Sequence, residues 1–296
     1  MLIDVSIIIV SYNTEDLLKK CINSIVENTK DIQYEIIIVD NGSKDGTIEY
    51  LKNIKLNNIT IIYNNKNLGF GSANNIGIKY SRGKYILFLN SDTILINNAI
   101  KIFYDYFENT ENTDIGVLGC YLKNDNGDII HSYESFPSIK TFLASELHLD
   151  KIYAINENKI VNNSKIIEVD YVTGADMFVS RSIIKKFNKF FDEDYFMYFE
   201  DTDIQFRLKN MGYRRIIIPG PEIIHYLSKS SKTTIEKKIM YDQSKYIYIR
   251  KNFKKSQALF LELLLKSITF SKIIIRNKYD LSNKLKYIRS VILDWK

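Results

Sequence analysis

Three short polar segments of this 296-residue chain carry side chains that could hold a metal ion and move a proton. The tripeptide Asn90-Ser91-Asp92 directly follows the apolar run 87–89. The segment Glu200-Asp201-Thr202-Asp203 holds three acids in four residues, and His225 follows a loop with Pro219, Gly220 and Pro221. Carboxylate and imidazole groups bind divalent cations and act as general bases. Together the segments predict a metal-dependent acid–base site.

Each segment also has an ordinary structural interpretation. A strand often ends in an aspartate that forms an Asx turn. Acids at 200–203 would compensate the dipole of a helix that begins there, and a lone histidine is more often structural than a ligand. The functional interpretation depends on several segments falling where one chemistry needs them.

Two further segments at predicted strand ends favour binding of a nucleotide. Val10, Ser11 and Tyr12 follow the first strand, and the tyrosine ring could stack on a nucleobase. Asp40 and Asn41 end the second strand, where a carboxylate would either accept a hydrogen bond from a pyrimidine N–H or form an Asx turn.

A glycine-containing segment at 67–77 opens a predicted helix. Glycines at a helix start allow close approach of a phosphate group. Gly69-Phe70-Gly71 partly imitates the dinucleotide fingerprint of an NAD-linked oxidoreductase. The missing third glycine and the position after the third strand, instead of the first, count against that class.

Alternating strand and helix patterns must position these segments. Strands are predicted at 3–10, 34–39, 59–63, 84–89 and 117–121, with helices at 14–28 (Thr14 as N-cap) and 71–80. This alternation predicts an α/β fold with a parallel sheet whose strand carboxyl ends share one edge. A turn at 124–128, an irregular stretch to 164, a return of regular structure at 169–179, a helix near 201–211 and a strand at 213–218 are expected to follow.

Taken in order, these motifs resemble the family 2 glycosyltransferases of the GT-A fold, particularly bacterial rhamnosyltransferase-like members. The resemblance covers about residues 3–230, with the best-matching runs at 5–13, 36–47, 67–93, 173–181 and 196–207. It implies a GT-A catalytic domain at 1–235 with a mostly parallel central sheet and flanking helices. The nucleotide-sugar half would be about 1–120, the acceptor half about 121–235, and 236–296 a basic, amphipathic helical extension.

The resemblance also implies a role for individual residues. Asn90-Ser91-Asp92 matches the family's D-x-D triad, which holds Mg²⁺ or Mn²⁺ on the donor diphosphate, with Asn in place of the first acid. Asp92 and His225 are then the expected metal ligands. Glu200-Asp201 matches the family's E-D pair, which makes Asp201 the expected catalytic base.

The remaining implied residues would contact donor or acceptor. The nucleotide-sugar side comprises Val10, Ser11, Tyr12, Asp40, Asn41, Gly69, Asn74, Asn90 and Ser91. The acceptor or sugar side comprises Gly174, Glu200 and Asp203. Many relatives carry Ala-Arg-Asn where this chain has Ala73-Asn74-Asn75, so a cation expected beside the diphosphate is missing.

The activity implied is an inverting, metal-dependent transfer of a sugar to a cell-surface polysaccharide or a polyprenyl-linked glycan. L-Rhamnose from a dTDP donor is one expectation; GlcNAc, galactofuranose or glucose from a UDP donor is the alternative. One base and one displacement would invert the anomeric centre. A non-catalytic nucleotide-sugar or scaffold protein is a third class, and the retained Asp92, Asp201 and His225 count against it.

Charge is distributed unevenly over the chain. Residues 1–205 carry 20 Lys/Arg and 29 Asp/Glu, whereas residues 206–296 carry 21 and 6, so the net charge of +6 conceals a basic end. Such an end favours an anionic partner; a membrane face is preferred to nucleic acid. The helix at 258–275 is apolar except for a stripe of Glu262, Lys266 and Thr269. It would either lie in a membrane interface or be buried, against its own domain or in a homodimer.

Two features bear on location. Cys21 and Cys120 lie in apolar contexts, which predicts buried free thiols in a reducing compartment. The first residues lack the basic segment of a signal peptide and enter a strand at once. We therefore expect a cytoplasmic protein that is peripheral on the inner face of the cell membrane.

Overall fold

The structure is a computed structural model that describes residues 2–109, 113–147, 149, 164–226, 234–275 and 280–293. Its strands are β1 (Val5–Ser11), β2 (Tyr34–Asp40), β3 (Ile59–Tyr63), β4 (Tyr85–Asn90), β5 (Thr93–Leu95), β6 (Ile115–Cys120), β7 (Tyr133–Glu134), β8 (Ile167–Glu168), β9 (Tyr171–Val172), β10 (Asp176–Ser180), β11 (Arg214–Ile218) and β12 (Ile223–His225). Its helices are α1 (Glu15–Asn28), α2 (Thr47–Asn53), α3 (Phe70–Tyr80), α4 (Ala99–Glu108), α5 (Ile139–Glu146), α6 (Arg181–Ile184), α7 (Glu200–Asn210), α8 (Ile235–Asn252), α9 (Lys255–Ile275) and α10 (Leu281–Tyr287), which continues into a π-turn at Ile288–Ile292.

The main sheet has eight strands in the order β3-β2-β1-β4-β10-β6-β11-β8. β1 pairs in parallel with β2 and β4, and the register sets Ser11 opposite Asp40 and Val10 opposite Asn90. The polar ends of three strands therefore meet at one edge, as the alternating pattern predicted. The mostly parallel α/β sheet confirms the predicted fold class.

The first strands form because their residues are buried on both faces of the sheet. Apart from the partly buried Val10, the isoleucine and valine residues of β1 and β2 are almost fully buried, as expected of parallel strands between helices. Helix α1 lays Leu18, Cys21, Ile22 and Ile25 against them. Both cysteines are buried and free, as predicted.

The regular structure predicted at 169–179 is present but is not one continuous element. The chain instead forms β8, β9 and β10, and β10 runs antiparallel between β4 and β6. The interruption has a hydrogen-bonding cause: the N–H of Thr173 donates to the carbonyl of Ser132, and the N–H of Gly174 donates to the side chain of Asp201. Both amides are thereby taken out of the sheet ladder.

The stretch expected to be irregular is only partly so. The turn at 124–128 is present, with Gly127 at φ +85°. Helix α5 follows, begun by a capping box in which Ser138 and Thr141 exchange hydrogen bonds. The sequence conceals this start because Thr141 stands where Glu or Gln is usual. The remainder of that stretch, 150–163, lies outside the described residues.

The chain divides into two compact units. The sheet unit comprises the described parts of 1–135, 163–196 and 200–229. The helical unit comprises the described parts of 136–162, 197–199 and 230–296. None of the helices in the described ranges combines the length and apolarity needed to cross a membrane.

Candidate active site

One corner of the site is built by the β4–β5 turn and by β12. β12 pairs antiparallel with β5, which sets His225 opposite Thr93. The N–H of Tyr226 donates to the carbonyl of Asp92 over 2.8 Å. Nε2 of His225 consequently lies 3.2 Å from Oδ1 of Asp92 and 3.5 Å from Nδ2 of Asn90. The sheet therefore brings the two predicted metal ligands together.

The separation of Asp92 and His225 can be compared with the spacing of two ligands around one divalent cation. Two adjacent ligands of an octahedral ion, each at about 2.1 Å, are about 3 Å apart. The Asp92–His225 separation of 3.2 Å fits such an ion. Within the described ranges no three His, Cys, Asp or Glu residues converge on one point. A cation here would take its other ligands from water and phosphate, as Mg²⁺ commonly does.

A chain of hydroxyl groups joins this turn to the end of β1. Oγ1 of Thr14 lies 3.0 Å from Oγ of Ser11 and donates to Oγ of Ser91 over 3.1 Å. Thr14 stands at the N-cap of α1 but forms no side-chain cap bond. Its hydroxyl positions the turn instead, a role that capping statistics do not suggest.

The two carboxylate oxygens of Asp40, at the end of β2, have different surroundings. Oδ2 accepts the N–H groups of Gly42 and Ser43, which is an Asx turn. Oδ1 is buried and has no hydrogen-bond partner among the described residues. One oxygen thus shapes the loop and the other is available to a ligand N–H. Tyr12, 43% exposed, has its ring open to solvent.

Asn41 organises the loop that leads to α3. Its Nδ2 donates to Oδ1 of Asn67 and to the carbonyl of Gly69, and its Oδ1 accepts from Asn64 and from the N–H of Leu68. All four hydrogen-bonding positions of the side chain are therefore filled within the loop. Gly69 has φ +87°, and a Cβ there would lie 2.2 Å from a backbone oxygen, so only glycine fits.

Two neighbouring asparagines in α3 have different partners. The amide of Asn74 donates to the carbonyl of Phe70, one turn earlier in the helix. Asn75 donates to the carbonyl of Phe191 over 2.7 Å and accepts from its N–H over 3.0 Å. Asn75 therefore fixes the segment that precedes α7. The sequence analysis missed it, because a polar residue inside a helix gives no sign of a partner 116 positions away.

Asp201 is the second residue of α7, and backbone N–H groups hold its carboxylate. Oδ2 accepts from Gly174 over 2.9 Å, and Oδ1 accepts from Thr202 over 2.7 Å. A side chain at Gly174 would place its Cβ 3.1 Å from Oδ2. Burial raises the pKa of Asp201, and the N–H groups of Thr202 and Gly174 only partly oppose the rise. A raised pKa suits a carboxylate that must accept a proton near neutrality.

The two acids beside Asp201 differ from each other. Glu200 is buried, its Oε2 has no hydrogen-bond partner in the described chain, and burial together with the charge of Asp201 raises its pKa to about 8. Asp203 accepts from Tyr195 and pairs with Arg207 over 2.8 Å. Both oxygens of Asp203 are thus occupied, which favours Asp201 as the base. The acceptor-side roles of Gly174, Glu200 and Asp203 stay predictions.

The dipeptide Gly174-Ala175 connects the two parts of the site. The N–H of Asn90 donates to the carbonyl of Ala175 over 3.0 Å, while the N–H of Gly174 donates to Asp201. Because Asn90 ends β4 immediately before the Asp92 turn, the candidate base and the candidate metal ligands lie at the same sheet edge.

Asp176 is a candidate that the sequence analysis missed. It is fully buried in β10, where Oδ2 accepts the N–H of Cys120 over 2.7 Å and Oδ1 has no partner within the described ranges. Burial raises its pKa to about 7, with Cys120 and the charge of His225 opposing the rise. An acid inside the apolar run 169–179 was the signal that could have revealed it.

Comparison with known proteins agrees with this architecture. The family model for glycosyl transferase family 2 matches residues 6–187. The chain is 31% identical to the rhamnosyltransferase WbbL of Escherichia coli K12 over 276 residues, which is 86% of this chain and 99% of WbbL.

Two solved structures share the fold. S. aureus TarS has a TM-score of 0.57 at 16% identity over 98% of this chain, which spans about half (49%) of TarS. The mannosyltransferase PcManGT of Pyrobaculum calidifontis, in complex with GDP-Man and Mn²⁺, has a TM-score of 0.56 at 14% identity, covering 98% of this chain and 79% of PcManGT.

The chain therefore belongs to glycosyl transferase family 2 and has the GT-A fold. It is a glycosyltransferase of the kind that uses nucleotide-sugar donors. The alternatives of an NAD-linked oxidoreductase and of a non-catalytic scaffold are set aside by this membership.

Proposed function

We propose that this enzyme transfers L-rhamnose from dTDP-rhamnose, with inversion, to a cell-surface polysaccharide or a lipid-linked glycan. The observation that carries the mechanism is the Gly174-Ala175 link, which sets the Asp201 carboxylate at the same sheet edge as Asp92 and His225. The choice of sugar is supported by the similarity to a rhamnosyltransferase over almost its whole length.

On the donor side, the side chains have complementary tasks. Asp92 and His225 would hold Mg²⁺ or Mn²⁺, which supplies Lewis-acid neutralisation of the departing diphosphate. The Mn²⁺ bound with GDP-Man by PcManGT supports a divalent ion. Oδ1 of Asp40 would accept the ring N–H of thymine or uracil, and Tyr12 would stack on the base. Asn90 and Ser91 would contact ribose or sugar, and Asn74 would lie beside the diphosphate.

On the acceptor side, Asp201 would take the proton of the attacking hydroxyl. The N–H groups of Gly174 and Thr202 orient its carboxylate. Burial and the charge of Asp201 raise the pKa of Glu200, so the pair would hold a single negative charge, which the two N–H groups would stabilise on Asp201. Positioned base catalysis of this kind contributes roughly 10²–10⁴-fold.

A UDP-sugar is the second candidate donor, with GlcNAc, galactofuranose or glucose as the sugar. It is favoured by the complex of TarS 1–349 with UDP-GlcNAc. The unpartnered Oδ1 of Asp40 does not discriminate, because uracil and thymine present the same ring N–H. With a polyprenyl-linked acceptor, the enzyme would be cytoplasmic and work on the inner face of the membrane, as a monomer or as a homodimer through its C-terminal helices.

A donor panel tests the proposal. Thermal unfolding would be followed with dTDP-rhamnose, UDP-GlcNAc, UDP-glucose, UDP-galactofuranose and GDP-mannose, each with Mn²⁺, Mg²⁺ or a chelator. We expect dTDP-rhamnose with metal to give the largest rise in Tm, since a ligand at 100 times its Kd stabilises by about 2.7 kcal/mol.

The panel also separates the parts of the proposal. The Asp92→Ala variant should lose the metal-dependent rise, whereas Asp125→Ala, which removes an exposed acid in the 124–128 turn, should keep it. A larger rise with a UDP-sugar would replace rhamnose by the alternative sugar. Equal rises with and without chelator would remove the metal from the mechanism.

A further inference from the structure

Helix α9 exposes large apolar side chains to solvent while it buries a polar stripe together with Ala258, Leu261, Leu265 and Ile273. Its polar stripe of Glu262, Lys266 and Thr269 is buried. Six large apolar residues of the helix are 37–77% exposed: Leu259, Phe260, Leu263, Phe270, Ile274 and Ile275. A helix on a water-facing surface normally buries its apolar side.

The inward stripe is held by ion pairs. Glu262 lies 2.6 Å from Arg250 and 2.9 Å from Lys266. Burial acts to raise the pKa of Glu262, but these two cations outweigh it and keep the pKa below its usual value. Turning the helix over would break the pair with Arg250, which belongs to α8, whereas Lys266 lies on α9 and would turn with Glu262. The Arg250–Glu262 pair therefore favours the observed orientation of α9 within the helical unit.

The outward face is continuous and carries little unsatisfied polarity. Its residues recur at intervals of three and four, from Leu259 to Ile274, over a length of about 22 Å. The hydroxyls of Ser267 and Ser271, on the same face, donate to the carbonyls of Leu263 and Ser267 over 2.8 and 3.0 Å. Hydroxyl groups that bond back to their own helix can enter an apolar medium without losing a partner.

The helical ranges that include this face carry an excess of positive charge, although part of it is paired with acids, as Lys286 is with Glu236 over 2.6 Å. The described helical ranges 234–275 and 280–293 carry 12 Lys/Arg and 4 Asp/Glu. Lys254 and Lys255 are exposed at the start of α9, where the helix dipole disfavours cations and no acid occupies the first turn. Arg289 and Lys286 are exposed further along, beside exposed Leu285. An anionic partner would offset the repulsion among these groups.

We propose that the apolar face of α9 inserts into the interface of an anionic lipid bilayer, with Lys254 and Lys255 on the headgroups. A second copy of the chain is the other candidate occupant, but it would bring a second unit with the same positive excess against the first. Amphipathic helices with basic flanks bind interfaces by this combination of apolar burial and charge. The proposal concerns where the enzyme works and is independent of which sugar it transfers.

Sedimentation of the full chain with vesicles tests it. We expect binding to phosphatidylcholine vesicles that contain phosphatidylglycerol, weaker binding to phosphatidylcholine alone, and weakening by salt. Phe260→Ser with Leu263→Ser should abolish co-sedimentation. Lys254→Glu with Lys255→Glu should weaken binding to the anionic vesicles by about tenfold or more. Met211→Ser, which changes an exposed apolar residue of the sheet unit, serves as the matched control and should bind like the parent.

Light scattering and donor binding are read in parallel. The substituted positions are exposed, so every variant should keep the Tm of the parent and the rise in Tm with donor. A variant that loses vesicle binding but keeps donor binding therefore tests the membrane proposal separately from the proposed transferase chemistry. Parent-like vesicle binding by Phe260→Ser with Leu263→Ser would overturn the proposal. Absence of vesicle binding by the parent protein would also overturn it. If the parent protein were then a dimer that the same substitutions dissociate, the partner of the α9 face would be a second copy of the chain.

Discussion

Three buried acids of the sheet unit differ from the buried acids of the helical unit in having no described cation beside their unpartnered oxygen. In the sheet unit, Asp40, Asp176 and Glu200 each keep one buried oxygen without a hydrogen-bond partner in the described chain. In the helical unit, Oδ1 of Asp242 also lacks a hydrogen bond within the described ranges, but it lies 2.7 Å from the ammonium group of Lys245, Oδ2 lies 2.8 Å from that of Lys238, and Glu262 is likewise paired with cations.

The pKa values follow this difference. Burial raises the pKa of Glu200 and of Asp176. For Asp242 burial acts in the same direction, but Lys245 and Lys238 outweigh it and hold the pKa below its usual value. A buried carboxyl oxygen without a partner costs stability, so we interpret its retention in Asp40, Asp176 and Glu200 as a place kept for a ligand. For an acid that is paired with cations, we infer a structural role.

Among the tests of this comparison, the substitution Asp92→Ala should have the largest effect. It removes the only carboxylate of the Asn90-Ser91-Asp92 turn, and the Asn90 amide has no charge with which to replace it. We expect donor turnover to be abolished and metal-dependent donor binding to be lost, with the fold retained. Calorimetry with donor and Mn²⁺ measures the binding. Unchanged metal-dependent binding would show that the turn is an ordinary strand end.

A second test sets Asp201→Asn against Asp203→Asn. The first keeps the shape of the side chain and removes the base, so transfer should fall by at least about 10²-fold while donor binding is spared. The second breaks the pair with Arg207 and should lower the free energy of unfolding by about 2 kcal/mol. Transfer assays and urea unfolding measure the two effects. The opposite pattern would assign the base to Asp203.

In the helical unit, Glu262→Gln should affect stability and spare the chemistry. The substitution leaves Arg250 and Lys266 without their acid, and Lys266 is buried. We expect a loss of about 2 kcal/mol in the free energy of unfolding and unchanged donor binding. Asp280→Asn, an exposed acid at the start of α10, is the matched control. A loss of donor binding without a loss of stability would contradict a purely structural role.

The smallest expected effect is a difference in pH dependence. The folded pKa of Glu200, about 8, is above its ordinary value of about 4.3, so the native state binds the extra proton between them. Its contribution to stability therefore falls as the pH rises through that window. For Asp242 the folded pKa is lowered, so its contribution is present above about 3.9 and is lost as the pH falls through the folded value.

Hydrogen exchange, corrected for intrinsic rates, can follow the two regions separately. Amides of α7 should lose protection as the pH rises from about 5 to about 8, while those of α8 should not. Parallel changes in both helices would contradict the comparison.

The sheet edge could be predicted from the sequence because its causes are local. Continuous β-branched runs identify buried parallel strands, and parallel strands deliver Ser11, Asp40 and Asn90 to one edge whatever the remaining packing. The course of 169–179 could not be predicted in this way. Its break depends on Gly174 donating to Asp201, a residue 27 positions away.

The orientation of α9 was also beyond the sequence. The pattern located the stripe of Glu262, Lys266 and Thr269, but a helix that is apolar over most of its circumference does not reveal which side faces inward. The deciding partner, Arg250, belongs to the preceding helix and pairs with Glu262 only in the folded chain. The same limit applies to Asp40, since no pattern assigns its two oxygens to different tasks.

The Gly174-Ala175 dipeptide has a consequence for how members of this architecture can diverge. In the proposed mechanism it ties proton removal and leaving-group departure to a single stretch of backbone, so one inserted residue there would shift both candidate centres at once. We expect chain length at 173–176 to be invariant among enzymes that keep this arrangement. Insertions and deletions should instead accumulate in the connection between β6 and β8, where acceptor preference can change without altering the catalytic geometry.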